Sequence, residues 1–231
     1  MIAALVAGCA GTSERDPRDP FEALNRRIYR FNDVVDENVA KPVATGYKHV
    51  VPGEMRDRVR NFFGNIGDVF IGVNNFLQGK VGDGASDWAR VLWNTSFGLL
   101  GIHDVASQMG FEKHDEDFGQ TFGWWGASSG PYVVLPLLGS STVRDGIGKG
   151  VDLYTDPLTE VRPYHVQYAI IGLRLTQTRA DLLDASRILE EAALDKYVFQ
   201  RDAYLQRRRS LIYDGSPPRE RLEDSEDGKT R

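Results

Sequence analysis

The chain has 231 residues, 41% of them hydrophobic and 26% charged, enough to bury one sizeable core in a single domain. A formal net charge of −5 argues against a nucleic-acid partner, which would need a basic face. The one dense basic run, Arg207-Arg208-Arg209, falls on a predicted helix, as a solvated face or a contact for anionic lipid head groups.

The chain opens MIAALVAGCAG, and Cys9 is its single cysteine. Val6-Ala7-Gly8-Cys9 has the form of a bacterial lipobox, in which the leader is cut before a cysteine that then carries lipid; the bland alternative is a small apolar cysteine in an ordinary signal-peptide fragment. The apolar run is short and no Lys or Arg precedes it, so further residues are expected upstream. Ala10, not an aspartate, follows the cysteine, the pattern that sorts lipoproteins to the outer membrane. Residues 1–8 therefore read as a truncated signal peptide and 9–18 as a polar tether.

Helical signals follow. Asp19-Pro20-Phe21-Glu22 predicts a cap, and Phe21, Leu24, Ile28, Phe31 and Val35 lie at the spacing of one helical face, in a helix that Pro42 should end. A second helix starts near Gly53 with Met55, Val59, Phe62 and Phe63; a third carries Val69, Val73, Phe76 and Leu77; a fourth carries Trp88, Val91, Leu92 and Thr95. Asp104 predicts the cap of a short fifth. Beyond a glycine-rich centre, Val166 to Leu183 and Leu194 to Ile212 predict two long helices. Sustained period-two alternation is absent, so the fold class is all-α, with a helical domain over 19–213 and a charged, disordered tail over 214–231.

The uncharged stretch from Trp124 to Ser141, WWGASSGPYVVLPLLGSS, is too short and too broken by Gly and Pro to span a bilayer. It reads as a buried core segment, a catalytic elbow, or an element that dips into a membrane. Gly126-Ala127-Ser128-Ser129-Gly130 matches the G-x-S-x-G nucleophile elbow, with Asp152 or Asp156 and His165 following in order, which makes a lipid-acting serine hydrolase the alternative function; the elbow needs a strand before the serine and a helix after it, and here Pro131 follows. His114-Asp115-Glu116-Asp117 gathers possible cation ligands without a second pair at a metal spacing, and a solvated loop is the simpler reading. No metal site and no cofactor is assigned.

Taken together, DPFEALNRRIYRFND, RNFFGN, NNFLQG, WNTSFGLLGIHDVA and FGQTFGWWG, followed by GPYVVLPLLG and VRDGIG, resemble the VacJ/MlaA family of outer-membrane lipoproteins over about residues 19–213. The resemblance implies a ring-like bundle of short amphipathic helices around a central amphipathic channel, monotopic in the outer membrane of a Gram-negative bacterium and facing the periplasm. It also implies a non-enzymatic role, in which phospholipid that has strayed into the outer leaflet is taken up and passed to a soluble periplasmic carrier, beside a trimeric porin. On that reading Asn25, Asn32, Asn74, Asn75, Gln78, Asn94 and Gln120 are candidates to line a polar head-group groove, with core hydrogen bonding as the bland alternative for each. Trp124, Trp125 and Tyr132 are candidates for the membrane interface, and Gly139, Arg144, Asp145 and Gly148 for a mobile hairpin-like gate.

Overall fold

The computed structural model describes residues 16–218; Cys9 with its lipobox, most of the tether, and residues 219–231 of the tail lie outside the described residues. Nine α-helices and one hairpin are present among the described residues. Helix α1 (Glu22–Val35) passes through a π-helical segment (Asp36–Ala40) into α2 (Lys41–Val50), so Pro42 does not end the helix. Proline lacks the N–H that would bond the carbonyl four residues back, and the wider π turn just before it absorbs that defect. Asp19 does not cap α1 either; Phe21 holds that position, and Asp19 is buried elsewhere.

The two helices expected from residue 53 onward are one, α3 (Gly53–Leu77). Gly64 and Gly67 cost a helix about 1 kcal/mol each relative to alanine and do not break it. Then come α4 (Val81–Ser96) and the short α5 (Val105–Gln108), whose Asp104 cap accepts the Ser107 N–H as expected. The glycine-rich centre is more ordered than its composition implies. It holds α6 (Phe118–Trp124), strands β1 (Tyr132–Leu135) and β2 (Gly139–Thr142), and α7 (Val143–Thr155). The strands pair antiparallel, Tyr132 opposite Thr142 and Leu135 opposite Gly139. Two side-chain caps start the helices of this centre: Asp117 accepts the Gln120 N–H at 2.8 Å, and Thr142 accepts the Asp145 N–H at 3.2 Å. A 3-10 turn (Pro157–Glu160) leads to α8 (Tyr164–Ala192) and α9 (Lys196–Ile212).

The packing closes on itself. Helix α2 packs on α8, α8 on α3, α3 on α6, α6 on α7 and α9, α9 on the hairpin, and β1 on α1, which continues into α2; outside this circuit α4 packs on α3 and α5 on α4. Two of the contacts need glycine. A Cβ at Gly72 of α3 would sit 2.3 Å from the Trp88 ring and one at Gly84 of α4 would sit 3.0 Å from the Gly72 carbonyl, so these helices cross backbone to backbone. A Cβ at Gly148 of α7 would lie 2.3 Å from the Gly119 nitrogen of α6.

Candidate functional site

Helix α4 shows how the scaffold distributes polarity. Asp87, Arg90 and Asn94, spaced i, i+3 and i+7, point inward and are buried, while Trp88 and Leu92 point outward at 48% and 68% exposure. The apolar face of this helix is the outer one. The same holds on α1, where Phe21, Leu24, Phe31 and Val34 are exposed and Asn25 is buried. Among the described residues the buried set has eight hydrophobic side chains against twenty polar or charged ones, the reverse of a water-soluble core.

Each buried charge is met by partners, as burial requires. Arg90 donates to Asp68 at 3.3 Å, to both Asp104 oxygens at 3.1 and 3.0 Å, to Ser107 at 3.0 Å and to the Phe111 carbonyl at 2.9 Å, which satisfies a fully buried guanidinium. The Asp104 carboxyl is held down at about 2; burial opposes that, and the Ser107, Arg90 and Asn94 donors outweigh it. Where α6, α7 and α9 meet, Arg208 bridges Asp117 at 2.6 Å and Asp145 at 3.0 Å, and Arg144 donates to Asp145 at 2.9 Å. Near them Asp152 is pushed up to about 6, by burial first and by the Asp117 charge second.

The sequence-predicted amides fall into two groups. Asn74 accepts from Thr121 at 2.7 Å, Gln78 donates to Glu116 at 2.7 Å, Asn75 donates to Asp87 at 2.7 Å, Asn94 donates to Asp104 at 3.1 Å, and Gln120 donates to the Asp115 carbonyl at 2.9 Å. These five are buried ties between α3, α4, α6 and the connections around them. Asn25 and Asn32 do something different. Asn25 donates to the Tyr132 carbonyl at 3.0 Å and accepts the Val134 N–H at 2.9 Å; Asn32 donates to the Leu135 carbonyl at 2.9 Å and accepts the Leu137 N–H at 2.8 Å. Seven helical residues advance about 10.5 Å and three strand residues about 10 Å, so the two amides on α1 match the free edge of β1 and act as its missing neighbour strand. The hairpin is pinned to α1 at its base and at its tip.

The tip borders a cavity of about 310 Å³ lined by Asn32, Asp36, Leu137, Gly139, Arg179 and Leu182, among others. Its wall is mixed in polarity: the Asp36–Arg179 pair at 2.6 Å faces aliphatic side chains. The structure thus brings together one predicted lining residue, Asn32, and one predicted gate residue, Gly139. Gly139 has φ +75° with open space around its Cβ direction, and Leu137 before it has φ +63°, so the tip is a tight left-handed turn. A larger hollow of about 710 Å³ lies between the Gly126–Gly130 loop and α9. Its Arg144 and Arg208 are already engaged by aspartates.

Other expected gate and interface residues sit elsewhere. Tyr132 is buried, stacked edge-on to Tyr197 and Tyr204, because β1 alternates and the face that carries Tyr132 and Val134 closes the core. Arg144 and Asp145 are interior ion-pair partners at the start of α7, and Gly148 is a helix-packing residue, not a hinge. Trp124 and Trp125 are exposed; the Trp125 indole donates to the Leu77 carbonyl at 3.0 Å and Lys80 lies 5.2 Å from the Trp124 ring centre. The buried charges Asp68, Asp87 and Arg90 are interior groups that sequence reading misses, although the helical spacing of the last two on α4 is a signal for them.

Neither chemical constellation assembles. Ser128 lies in an exposed loop running from helix α6 to strand β1, the reverse of an elbow's strand-to-helix order; Asp156 pairs with Arg174, Asp152 receives the Phe118 N–H at 3.4 Å, and His165 is exposed at the start of α8. The four residues from His114 diverge: His114 bonds Asp87 at 2.8 Å, Asp115 meets Arg207, Glu116 meets Lys80 and Asp117 meets Arg208.

A polar interior, an outward apolar surface and, among the described residues, no helix long and apolar enough to cross a membrane define a helical protein whose polarity is inverted relative to a water-soluble core. The family model for the MlaA lipoprotein matches residues 17–211, and the chain belongs to that family. It is 36% identical over 211 residues to the intermembrane phospholipid transport system lipoprotein MlaA of Escherichia coli K12, covering 88% of this chain and 82% of the relative. To the Haemophilus influenzae protein of the same name it is 28% identical, covering 93% and 89%. A solved structure bearing on maintenance of bacterial outer-membrane lipid asymmetry superposes with a TM-score of 0.74 at 32% identity, covering 86% of this chain and all of the other.

Proposed function

We propose that this chain is an outer-membrane lipoprotein, held by lipid on Cys9, that takes mislocalised phospholipid from the outer leaflet and passes it to a soluble periplasmic carrier beside a porin trimer. The observation that carries the reading is the inversion of polarity combined with a mixed-polarity cavity at the hairpin tip. A head group resists entering hydrocarbon, so a polar-lined passage inside an apolar-skirted circuit lowers the barrier for the head while the tails stay in an apolar setting. No bond need be made or broken. Direction has to come from the partners, because a passage by itself only lets lipid equilibrate. In this reading the cavity bordered by Asn32 and Gly139 belongs to the passage, and the tip of the hairpin sets its opening.

The test is to loosen and to burden the tip. Asn32→Ala removes both tip tethers, at a cost of about 1 kcal/mol per lost hydrogen bond. Gly139→Lys places a charged chain on a positive-φ residue beside the cavity. Both proteins are expected to accumulate at the outer membrane while the phospholipid content of the outer leaflet changes, whereas Ser128→Ala should leave it at the wild-type level. Normal lipid asymmetry in both tip variants would remove the hairpin from the passage. A loss of clearance in Ser128→Ala, with free fatty acid formed only by the unaltered protein, would favour a hydrolase instead.

A further inference from the structure

The outer face between α3 and α8 carries a feature that the passage does not use. Met55, Val59, Phe62 and Phe63 of α3, Ile102 from the loop before α5, and Ile170 and Leu173 of α8 line a crevice of about 360 Å³. Apart from Arg58, every lining residue is apolar. The Arg58 guanidinium contacts only the Met55 sulfur, at 3.7 Å, and among the described residues no carboxylate pairs with it. Its neighbour differs: Arg60 is held by Asp57 at 3.0 Å and by Asp181 at 3.0 Å. An apolar slot with one unpaired cation at its rim has the complementarity of a molecule with an apolar tail and an anionic head. The crevice also continues into the exposed apolar surface, since Ile102 follows Leu99 and Leu100, both about two-thirds exposed, and the Asn61 side chain of α3 donates to the Ile102 carbonyl at 3.4 Å.

We infer that this crevice is a resident phospholipid site: one acyl chain lies between α3 and α8 against Phe62, Phe63, Ile170 and Leu173, and the phosphate rests on Arg58. The site depends on the leaflet seating of the protein and is separate from the passage, whose cavity lies between α1, the hairpin, α8 and α9. A lipid held there would fill a slot that solid side chains leave open and fix α3 against α8.

The experiment uses the full lipidated chain in outer-membrane vesicles containing a phosphatidylglycerol with a photoreactive diazirine on one acyl chain. Peptide mapping after irradiation is expected to find labelling at Phe62, Phe63 or Leu173 above that at Leu92, which faces bulk lipid. Arg58→Glu should cut crevice labelling at least about five-fold, through loss of one exposed charge contact with repulsion of the phosphate added to it, with Leu92 labelling unchanged. Arg58→Lys should retain it, and Ile170→Trp should block it. Native mass spectrometry of the purified protein should show one fewer bound phospholipid in Arg58→Glu and Ile170→Trp than in the unaltered chain. Labelling no higher than at Leu92, or equal in all four proteins, would overturn the site and leave only general lipid contact. Recovery of a protein cross-link from the crevice in place of lipid would also overturn it, and make the face a protein interface. Outer-leaflet phospholipid measured on the same variants separates this outcome from failure of the transport reading, because that reading does not require the crevice.

Discussion

Helices α4 and α9 occupy opposite roles in one scaffold. Both bury an arginine, Arg90 in α4 and Arg201 in α9, yet their outer faces differ. Within α4 the exposed large side chains are Val81, Trp88, Leu92 and Trp93, while α9 presents Arg207 and Gln206 outward with Phe199 as its exposed large apolar residue. Periodicity makes α4 strongly amphipathic and α9 polar over most of its surface; only the environment decides which face of an amphipathic helix is turned inside. Against water the apolar face is the buried one, and against lipid the polar face must be, because an unpaired charge in hydrocarbon costs several kcal/mol. In the seating proposed above, α4 is the lipid side and α9 the aqueous side.

The largest expected effect tests the interior of that comparison. Arg90→Ala leaves Asp68 and Asp104 facing a cavity and should cost about 3–5 kcal/mol in chemical unfolding, whereas Arg207→Ala, which removes an exposed pair with Asp115, should fall within about 0.5 kcal/mol. Similar values for the two would end the contrast between the sides. Next in size is Gly148→Ala. Its Cβ meets the Gly119 backbone, which cannot yield as a side chain can, so α7 has to lift from α6 at a cost of about 3 kcal/mol. Differential scanning calorimetry should show a lower Tm, and a variant as stable as the parent would mean that the crossing is looser than its geometry.

The smallest effect comes from Asp152. Its folded pKa of about 6 lies above the unfolded value of 3.8, so the folded state binds more protons between those limits and stability falls as pH rises through that window. The groups facing it are Asp117, Lys149, Arg208 and the Phe118 N–H. Asp152→Asn keeps an oxygen for that N–H and should gain about 1 kcal/mol at pH 7, with nothing gained below about pH 4. A pH profile of Tm that is unchanged by the substitution would remove burial and the Asp117 charge as the cause.

What the sequence makes legible follows the same physics. The helices with long apolar periods, α4, α8 and α9, are visible because period and capping are local signals. Pro42 misleads because proline is read as a break, and the apolar sets from Met55 and from Val69 read as two helices, while packing carries one helix through each stretch. Helices α6 and α7 are obscured by glycines that serve backbone contact, at Gly119 and Gly148, although Asp117 and Thr142 mark their starts. Of the candidate site, Asn32 and Gly139 meet at the cavity, and both Asn25 and Asn32 dock on the edge of β1, which spacing along a helix cannot foretell. Tyr132 and Asp145, expected at the membrane interface and the gate, have partners across the chain in α9, and Arg144 pairs with Asp145, tertiary facts that no local pattern contains.

The seating of the two faces can be measured directly. Single cysteines replacing Leu92 and Arg207 in the full chain, spin-labelled in outer-membrane lipid vesicles, can be relaxed by oxygen, which concentrates in hydrocarbon, or by a polar nickel chelate, which stays in water. The label at 92 should relax with oxygen and be shielded from nickel, and the label at 207 should do the opposite. Equal access of nickel to both positions would contradict a lipid-facing α4, and would return its apolar face to water.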